Sequence, residues 1–201
     1  MNYFAALMFV AIAASGADTS VETLHNEIAK NKTLSASFRQ TQTLKEFKEP
    51  IVSRGRLSYR APNQLRWETD TPYKVIMVID GTSMTTFYPE LKHKETKNLA
   101  TDKMAGFMVN QIIQFIKGDF AKLAERFDVR ISEPKPGSHE VKLKPKGVTA
   151  SGPLTGITLR FASYILEETI IEGKDGGGSV IEFSDVTPNP ALSDALFSIP
   201  K

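Results

Sequence analysis

Apolar and polar side chains alternate along much of this chain, most regularly across residues 55–81. Leu57 and Tyr59 alternate with polar neighbours, and Leu65 and Trp67 resume the pattern after a proline-asparagine turn. A period of two predicts strands with one buried face. A run of five apolar residues follows and ends at an Asp-Gly dipeptide, which is typical of tight hairpins. The stretch therefore predicts three consecutive antiparallel strands.

The same alternation predicts further strands on both sides of this stretch, while two segments change to a helical period. The further strands cover 34–39, 84–88, 91–97, 129–131, 141–143, 157–161, 165–171 and 180–183. A first helix is predicted over residues 20–30. A second begins after the N-cap Asp102 and ends at Gly118, and a short helix follows it. We find no domain boundary, and we predict a single α+β domain with a large antiparallel sheet.

The mid-chain helix carries a stripe of large apolar residues at three- and four-residue spacing, namely Met104, Phe107, Met108, Ile112 and Phe115. Such a stripe predicts that the helix packs on the sheet. Taken alone, it is typical of an ordinary filled core. Periodicity does not distinguish a filled interior from a hollow one.

The first 17 residues are typical of an export signal. An apolar run from Tyr3 to Ala14 precedes the small residues 14–17, which predicts cleavage after Gly16 or Ala17. The run is shorter than the roughly 20 apolar residues of a bilayer-spanning helix. The alternative is an N-terminal core helix. Export predicts a soluble periplasmic protein whose mature domain covers residues 18–201.

Composition excludes several classes of protein. The 201 residues include no cysteine, which excludes disulfides, thiolate metal sites and lipid attachment through an N-terminal cysteine. The formal net charge of +2 is small and the Lys and Arg residues are scattered, so we expect no nucleic-acid partner.

Residues with catalytic potential are not grouped in the sequence. His25, His93 and His139 fall on a predicted helix, a charged strand and a loop, without metal-ligand spacing. Acidic pairs such as Glu167-Glu168 have no partner placed as a general acid or base. We therefore predict a protein that is not an enzyme and has no metal or cofactor.

Several short motifs occur in an order that resembles a known family. They are Phe38-Arg39-Gln40, Gly55-Arg56-Leu57, Pro62 through Trp67, Asp80-Gly81, and the closing segments 181–186 and 197–200. Their order and spacing resemble the periplasmic lipoprotein carriers LolA and their outer-membrane receptor relatives LolB. LolB-like receptors carry a lipid anchor, which requires an N-terminal cysteine. The absence of cysteine therefore favours a soluble, LolA-like carrier.

The resemblance implies an incomplete barrel covered by the N-terminal helix and a mid-chain helical lid, with an apolar space for acyl chains. It implies a carrier of lipoprotein or lipid cargo toward the outer membrane, with an inner-membrane transporter and an outer-membrane acceptor as partners, and a monomer. Another lipid or acylated metabolite as cargo, or a lipid-sensing module, remains open. The candidate cavity and lid residues are Phe38, Leu57, Tyr59, Leu65, Trp67, Ile79, Met84, Met104, Phe107, Met108, Ile112 and Phe115.

Three positions depart from the family's pattern. Its soluble carriers have an arginine directly before the turn proline, where it helps to hold the lid closed, and this chain has Ala61. Arg60 precedes it, and a regular strand predicts that Arg60 points to the opposite face. Thr85 replaces a family tryptophan and Leu65 a family aromatic residue.

Overall fold

The computed structural model describes residues 17–199, which form one antiparallel sheet with helices packed on one face. Within that range there are three α-helices: α1 (Ala17–Ile28), α2 (Lys103–Lys117) and α3 (Phe120–Leu123). The strands in the same range are β1 (Thr33–Thr43), β2 (Ile51–Arg60), β3 (Gln64–Thr71), β4 (Val75–Ile79), β5 (Ser83–Tyr88), β6 (His93–Asn98), β7 (Phe127–Lys135), β8 (Ser138–Pro145), β9 (Leu154–Ala162), β10 (Ile165–Gly173) and β11 (Gly178–Pro188). Residues 1–16 of the predicted signal peptide lie outside the described range.

The sheet is curved and open, in the order β6-β5-β4-β3-β2-β1-β11-β10-β9-β8-β7. Strands that follow one another in the chain pair with each other, except β6 and β7, and β1 also pairs with β11. The two edge strands are β6 and β7, and α2 and α3 connect one to the other. The helical segment therefore crosses from one edge of the sheet to the other. The fold class predicted from the sequence is confirmed.

Several elements have other boundaries than the sequence predicts, and most strands, such as β7, β8 and β11, are longer than predicted. The predicted strand at 91–97 begins only at His93, because Pro89–Leu91 forms a 3-10 turn and Lys92 adopts a left-handed conformation (φ 49°). The predicted first helix at 20–30 covers residues 17–28. The predicted ends of α2 are confirmed, since Asp102 caps its start and Gly118 its end.

The core lies on the face of the sheet that the helices cover, here called the inner face, and it is divided into two clusters. One joins α1, α3 and Phe115 of α2 to β7–β9. The other joins α2 to β1–β4. On the outer face, the C-terminal segment packs Phe197 against Ile76 and Val78 of β4. The second cluster contains most of the sheet positions proposed for a cavity.

Candidate functional site

Apolar side chains form two neighbouring rows across the inner face of β1–β5. The first row consists of cross-strand partners, namely Leu34, Tyr59, Leu65, Ile79 and Met84. The second row, one pleat along, is Ala36, Leu57, Trp67 and Met77. Because residues opposite one another on one face have Cβ atoms about 5 Å apart, the rows form a continuous apolar surface.

Helix α2 covers the first row. Val109, Ile113 and Ile116 are buried in the same cluster as that row. The helix starts after Asp102, whose carboxylate accepts a hydrogen bond from the N–H three residues later at 2.9 Å. It stops at Gly118, where φ is +60°, a left-handed conformation that favours glycine. Local capping therefore sets the length of α2, and its apolar face sets its position.

The structure corrects three of the predicted lid residues. Met104 and Met108 are 70% and 57% exposed, so they point away from the sheet. Phe107 is half-buried on the outer side of α2, where the guanidinium carbon of Arg126 lies 5.0 Å from its ring centroid. These three side chains do not line the space between α2 and the sheet.

The sequence pattern assigned Met104, Phe107 and Met108 to the lid because two apolar stripes overlap on α2. At roughly 100° per residue, Met104 and Met108 lie about 100° from Ala105 and Val109 on the helix surface. The buried stripe is Ala105, Val109, Ile113 and Ile116. Its spacing of four, four and three residues could have identified it, but the larger methionines and phenylalanines dominate the pattern.

The other two predicted lid residues lie in different surroundings. Ile112 is half-buried and packs with the cluster that contains both rows. Phe115 is buried, but in the cluster of α1, α3 and β7–β9. Of the predicted lid, only Ile112 therefore lies beside the candidate surface of β1–β5.

The seven predicted sheet residues all lie on the inner face. Three aromatic rings extend the apolar surface of the two rows beyond the part that α2 covers. The Phe38 and Trp67 ring centroids are 4.3 Å apart, and Phe183 meets Trp67 edge-on at 6.4 Å. Phe38 lies over Gly55, where a Cβ would come within 2.8 Å of its ring and would overlap the Glu68 carbonyl oxygen. Glycine is therefore required here for close approach of the ring.

The space between α2 and the rows is almost filled. A cleft of about 20 Å³ remains beside Leu57, Ile116 and Phe183, which is room for about one water molecule. A larger cleft of about 430 Å³ lies at the rim, where Ile79, Val109 and Ile113 form its apolar lining. A ligand therefore contacts the buried residues of the first row, such as Tyr59 and Leu65, only after displacement of α2.

Tyr59 is the one ionisable side chain in the first row. Burial raises its pKa to about 12, because a phenolate is poorly solvated in an apolar environment. Its hydroxyl donates to the Pro62 carbonyl oxygen at 3.3 Å. The candidate surface is therefore uncharged at neutral pH, as an apolar ligand requires.

The C-terminal end of α2 is linked to α1. His25 Nδ1 donates a hydrogen bond to the Gly118 carbonyl oxygen at 2.7 Å. Beside this contact lies a cleft of about 250 Å³ lined by Tyr59, Ala61, Lys117 and Asp119, among others. Ala61 therefore faces open space next to the end of α2, at the position where the related carriers are expected to have an arginine.

Arg60 points to the outer face, which confirms the expectation from strand alternation. Its Nη1 lies 2.6 Å from an Asp194 carboxylate oxygen, and its Nη2 donates to the Leu192 carbonyl oxygen at 3.2 Å. The guanidinium carbon also lies 4.5 Å from the Phe197 ring centroid. Arg60 therefore holds the C-terminal segment against the outer face.

The three histidines lie on α1, β6 and β8, so the prediction that His139 falls on a loop was wrong: it is a buried residue of β8. Within residues 17–199 no three His, Cys, Asp or Glu side chains are grouped so that they can hold a metal ion. None of the helices in that same range is both long and apolar enough to span a bilayer.

Relatives and solved structures are consistent with this geometry. The chain is 25% identical to an outer-membrane lipoprotein carrier protein of Pseudomonas putida over 204 residues, covering 100% of this chain and 94% of that protein. It is 27% identical to the outer-membrane lipoprotein carrier protein of Pseudomonas syringae pv. tomato, covering 98% of this chain and 92% of that protein. A crystal structure of MucB has the same fold, with a TM-score of 0.54 at 12% identity over 91% of this chain and 64% of MucB. The crystal structure of a DUF1329 family protein from Desulfovibrio piger also has this fold, with a TM-score of 0.51 at 11% identity over 89% of this chain and 95% of that protein.

A family model described as outer membrane lipoprotein carrier protein LolA matches residues 29–200. The match includes all eleven strands of the described range and the helical segment that covers them. This chain therefore belongs to the LolA family of outer membrane lipoprotein carrier proteins.

Proposed function

We propose that this protein is a periplasmic carrier that binds the acyl chains of lipoproteins between α2 and the two apolar rows of β1–β5. It receives cargo from an inner-membrane transporter and passes it to an acceptor at the outer membrane. The observation that carries the proposal is the way in which α2 covers the rows. Val109, Ile113 and Ile116 pack on them, and among the described residues α2 shares no backbone hydrogen bond with β1–β5. Such a cover can move without breaking the sheet.

The energies of lid and cargo are comparable, which suits reversible binding. Burial of one large apolar side chain contributes about 1.5–3 kcal/mol, so the three main contacts of α2 contribute roughly 5–9 kcal/mol. An acyl chain of about 14 methylene groups contributes about 11 kcal/mol at 0.8 kcal/mol each. Cargo therefore offsets the loss of the lid contacts, and reclosure of α2 favours release.

The half-buried edge of the surface provides a point of entry. Trp67, Met77, Met84 and Ile112 are all partly exposed and adjoin the buried rows. Methionine is flexible and polarizable, and it adapts to apolar ligands of variable shape. The proposed binding residues are therefore the seven predicted sheet positions together with Met77, Val109, Ile112, Ile113 and Ile116.

Trp67 reports on this site because it is the only tryptophan. We expect a lipopeptide with brominated acyl chains to quench Trp67 fluorescence in the wild type. Val109→Asp should reduce the affinity strongly, because the inserted charge adjoins the apolar site. Met104→Asp is the matched control on the exposed side of α2 and should bind as the wild type does.

The design separates binding from folding. Circular dichroism of each variant shows whether it folds, and Met77→Asp repeats the test at a half-buried edge position. Absence of quenching in the folded wild type would refute the proposal. Equal loss of affinity in Val109→Asp and Met104→Asp would also contradict it, since only the first position contacts the rows.

A further inference from the structure

A polar cleft lies on the side of α2 that faces away from the sheet. It has a volume of about 370 Å³ and lies between α2, α3 and the residues just before α2. Gly106 permits the close approach of those residues, since a Cβ there would overlap the Leu99 carbonyl oxygen. The volume is within the range of small-molecule sites, about 300–1,000 Å³.

Cationic side chains dominate this cleft. Lys103, Lys122 and Arg126 line it, with Glu125 as the single carboxylate. Among the described residues, none of these four forms an ion pair. A concave site lined by one sign of charge concentrates ligands of the opposite sign. The charges therefore favour an anionic ligand.

Gln111 supplies an independent indication of a ligand. It lines the same cleft and is only 9% exposed, and its Oε1 is buried without a hydrogen-bond partner. A buried amide oxygen without a partner destabilises the fold, because it has lost its hydrogen bonds to water. Rotation of the amide can present either its oxygen or its NH₂ group to a ligand. A ligand with hydroxyl and anionic oxygen atoms would satisfy it in either orientation.

We propose that this cleft binds a phosphate ester with a hydroxylated substituent, the chemistry of a glycerophosphate group. Lys122 and Lys103 provide point charges, and the planar guanidinium of Arg126 matches phosphate oxygens in a bidentate manner. Gln111 pairs with the substituent or with a phosphate oxygen. The group can come from a soluble phosphate ester or from the headgroup of a phospholipid, and the site does not depend on acyl-chain binding beneath α2.

Titration calorimetry with glycerol 3-phosphate tests the site in the full-length mature protein. We expect Lys122→Gln and Arg126→Gln each to weaken binding about tenfold, the loss expected for one charge-assisted hydrogen bond. Glu125→Gln should strengthen binding because it removes the opposing charge. Lys144→Gln, an exposed lysine on β8, is the matched control and should bind as the wild type does.

Gln111→Leu distinguishes a binding role from a structural one. It removes the unpaired buried amide, so its melting temperature should equal or exceed that of the wild type while its affinity for glycerol 3-phosphate falls. Flotation with phosphatidylglycerol vesicles identifies the source. Vesicle binding lost in Lys122→Gln indicates a lipid headgroup, and binding of only the soluble probe indicates a free ester. No binding of either probe, equal weakening in Lys144→Gln, or unchanged affinity in Gln111→Leu would overturn the proposal.

Discussion

His25 Nδ1 donates a hydrogen bond to the Gly118 carbonyl oxygen at 2.7 Å, which links α1 to the C-terminal end of α2. Ile28 reinforces this link, since a Cβ added at Gly118 would lie 2.7 Å from its Cδ1 atom. The C-terminal end borders a cleft of about 250 Å³, whereas larger clefts of about 430 and 370 Å³ border the N-terminal half and extend to Ile113 and Gln114. The helix is therefore anchored at one end and loosely packed at the other.

This asymmetry predicts that α2 opens from its N-terminal end. Local opening requires less free energy where fewer buried contacts are lost. We expect amide hydrogens of residues 106–110 to exchange faster than those of residues 112–117, measured by hydrogen exchange with mass spectrometry. Equal exchange along the helix would show that α2 moves as one body.

His25→Ala tests the anchor directly. Loss of one hydrogen bond should lower the stability of the contact by about 0.5–1.5 kcal/mol, so exchange at residues 112–117 should rise about tenfold at the upper end of that range. His93→Ala is the matched control, because His93 is exposed on β6. A similar rise in both variants would argue against an anchor at His25.

The strands of the site could be predicted because alternation is a local property. Leu57, Tyr59, Leu65 and Trp67 face the same side of the sheet in any regular pairing of β2 and β3. The side of α2 that is buried could not be predicted in this way, because Met104 satisfies helical spacing as well as Ala105 does. Contacts between segments that are distant in the sequence determine which side of α2 is buried.

The two separate cores illustrate the same limit. Phe115 and Ile116 are neighbours in sequence, yet one packs with β7–β9 and the other with β1–β4. Likewise, Arg60 contacts a segment about 130 residues away along the chain. Such partners depend on topology, which a local pattern does not contain.

Glu68 makes the stability of the sheet dependent on pH. Burial favours its neutral form, but hydrogen bonds and charge from Arg66 and Lys74 outweigh burial and hold the pKa of Glu68 below its ordinary value. A lowered pKa stabilises the fold above the unfolded-state pKa of about 4.3, and this contribution is lost as pH falls through the folded-state pKa.

Glu68→Gln should therefore lower the free energy of unfolding at pH 7 by about 1–3 kcal/mol, since Arg56, Arg66 and Lys74 lose their shared counter-charge. The difference from the wild type should shrink below pH 4, as measured by urea unfolding. Glu167→Gln, on an exposed side chain of β10, is the control. A pH-independent difference would mean that Glu68 acts through packing rather than charge.

The predicted export signal is tested by the N-terminus of the native protein. We expect mature protein to begin at Ala17 or Asp18 and to be recovered in the periplasmic fraction. N-terminal sequencing decides between this and the alternative core helix, for which Met1 or a residue near it would remain at the start of the native chain.

The space beside Ala61 predicts the effect of restoring an arginine. The cleft of about 250 Å³ there is lined by Asp119 and by Lys117 at the end of α2. An arginine has five N–H donors, and Asp119 and the last carbonyl groups of α2 are suitable acceptors. Each hydrogen bond contributes about 0.5–1.5 kcal/mol. Ala61→Arg should therefore stabilise the closed, empty state, in which α2 packs on the sheet.

In the proposed carrier, closure of α2 competes with cargo, so Ala61→Arg should release bound lipopeptide up to about tenfold faster than the wild type, as 1.4 kcal/mol corresponds to a factor of ten. Arg60→Ala is the discriminating control. Arg60 contacts Asp194 and the Leu192 carbonyl on the outer face, so its loss should loosen the C-terminal segment and leave the release rate unchanged. Dissociation measured through Trp67 fluorescence compares the two variants. Slower release in Arg60→Ala, with no change in Ala61→Arg, would identify Arg60 as the group that holds the lid closed.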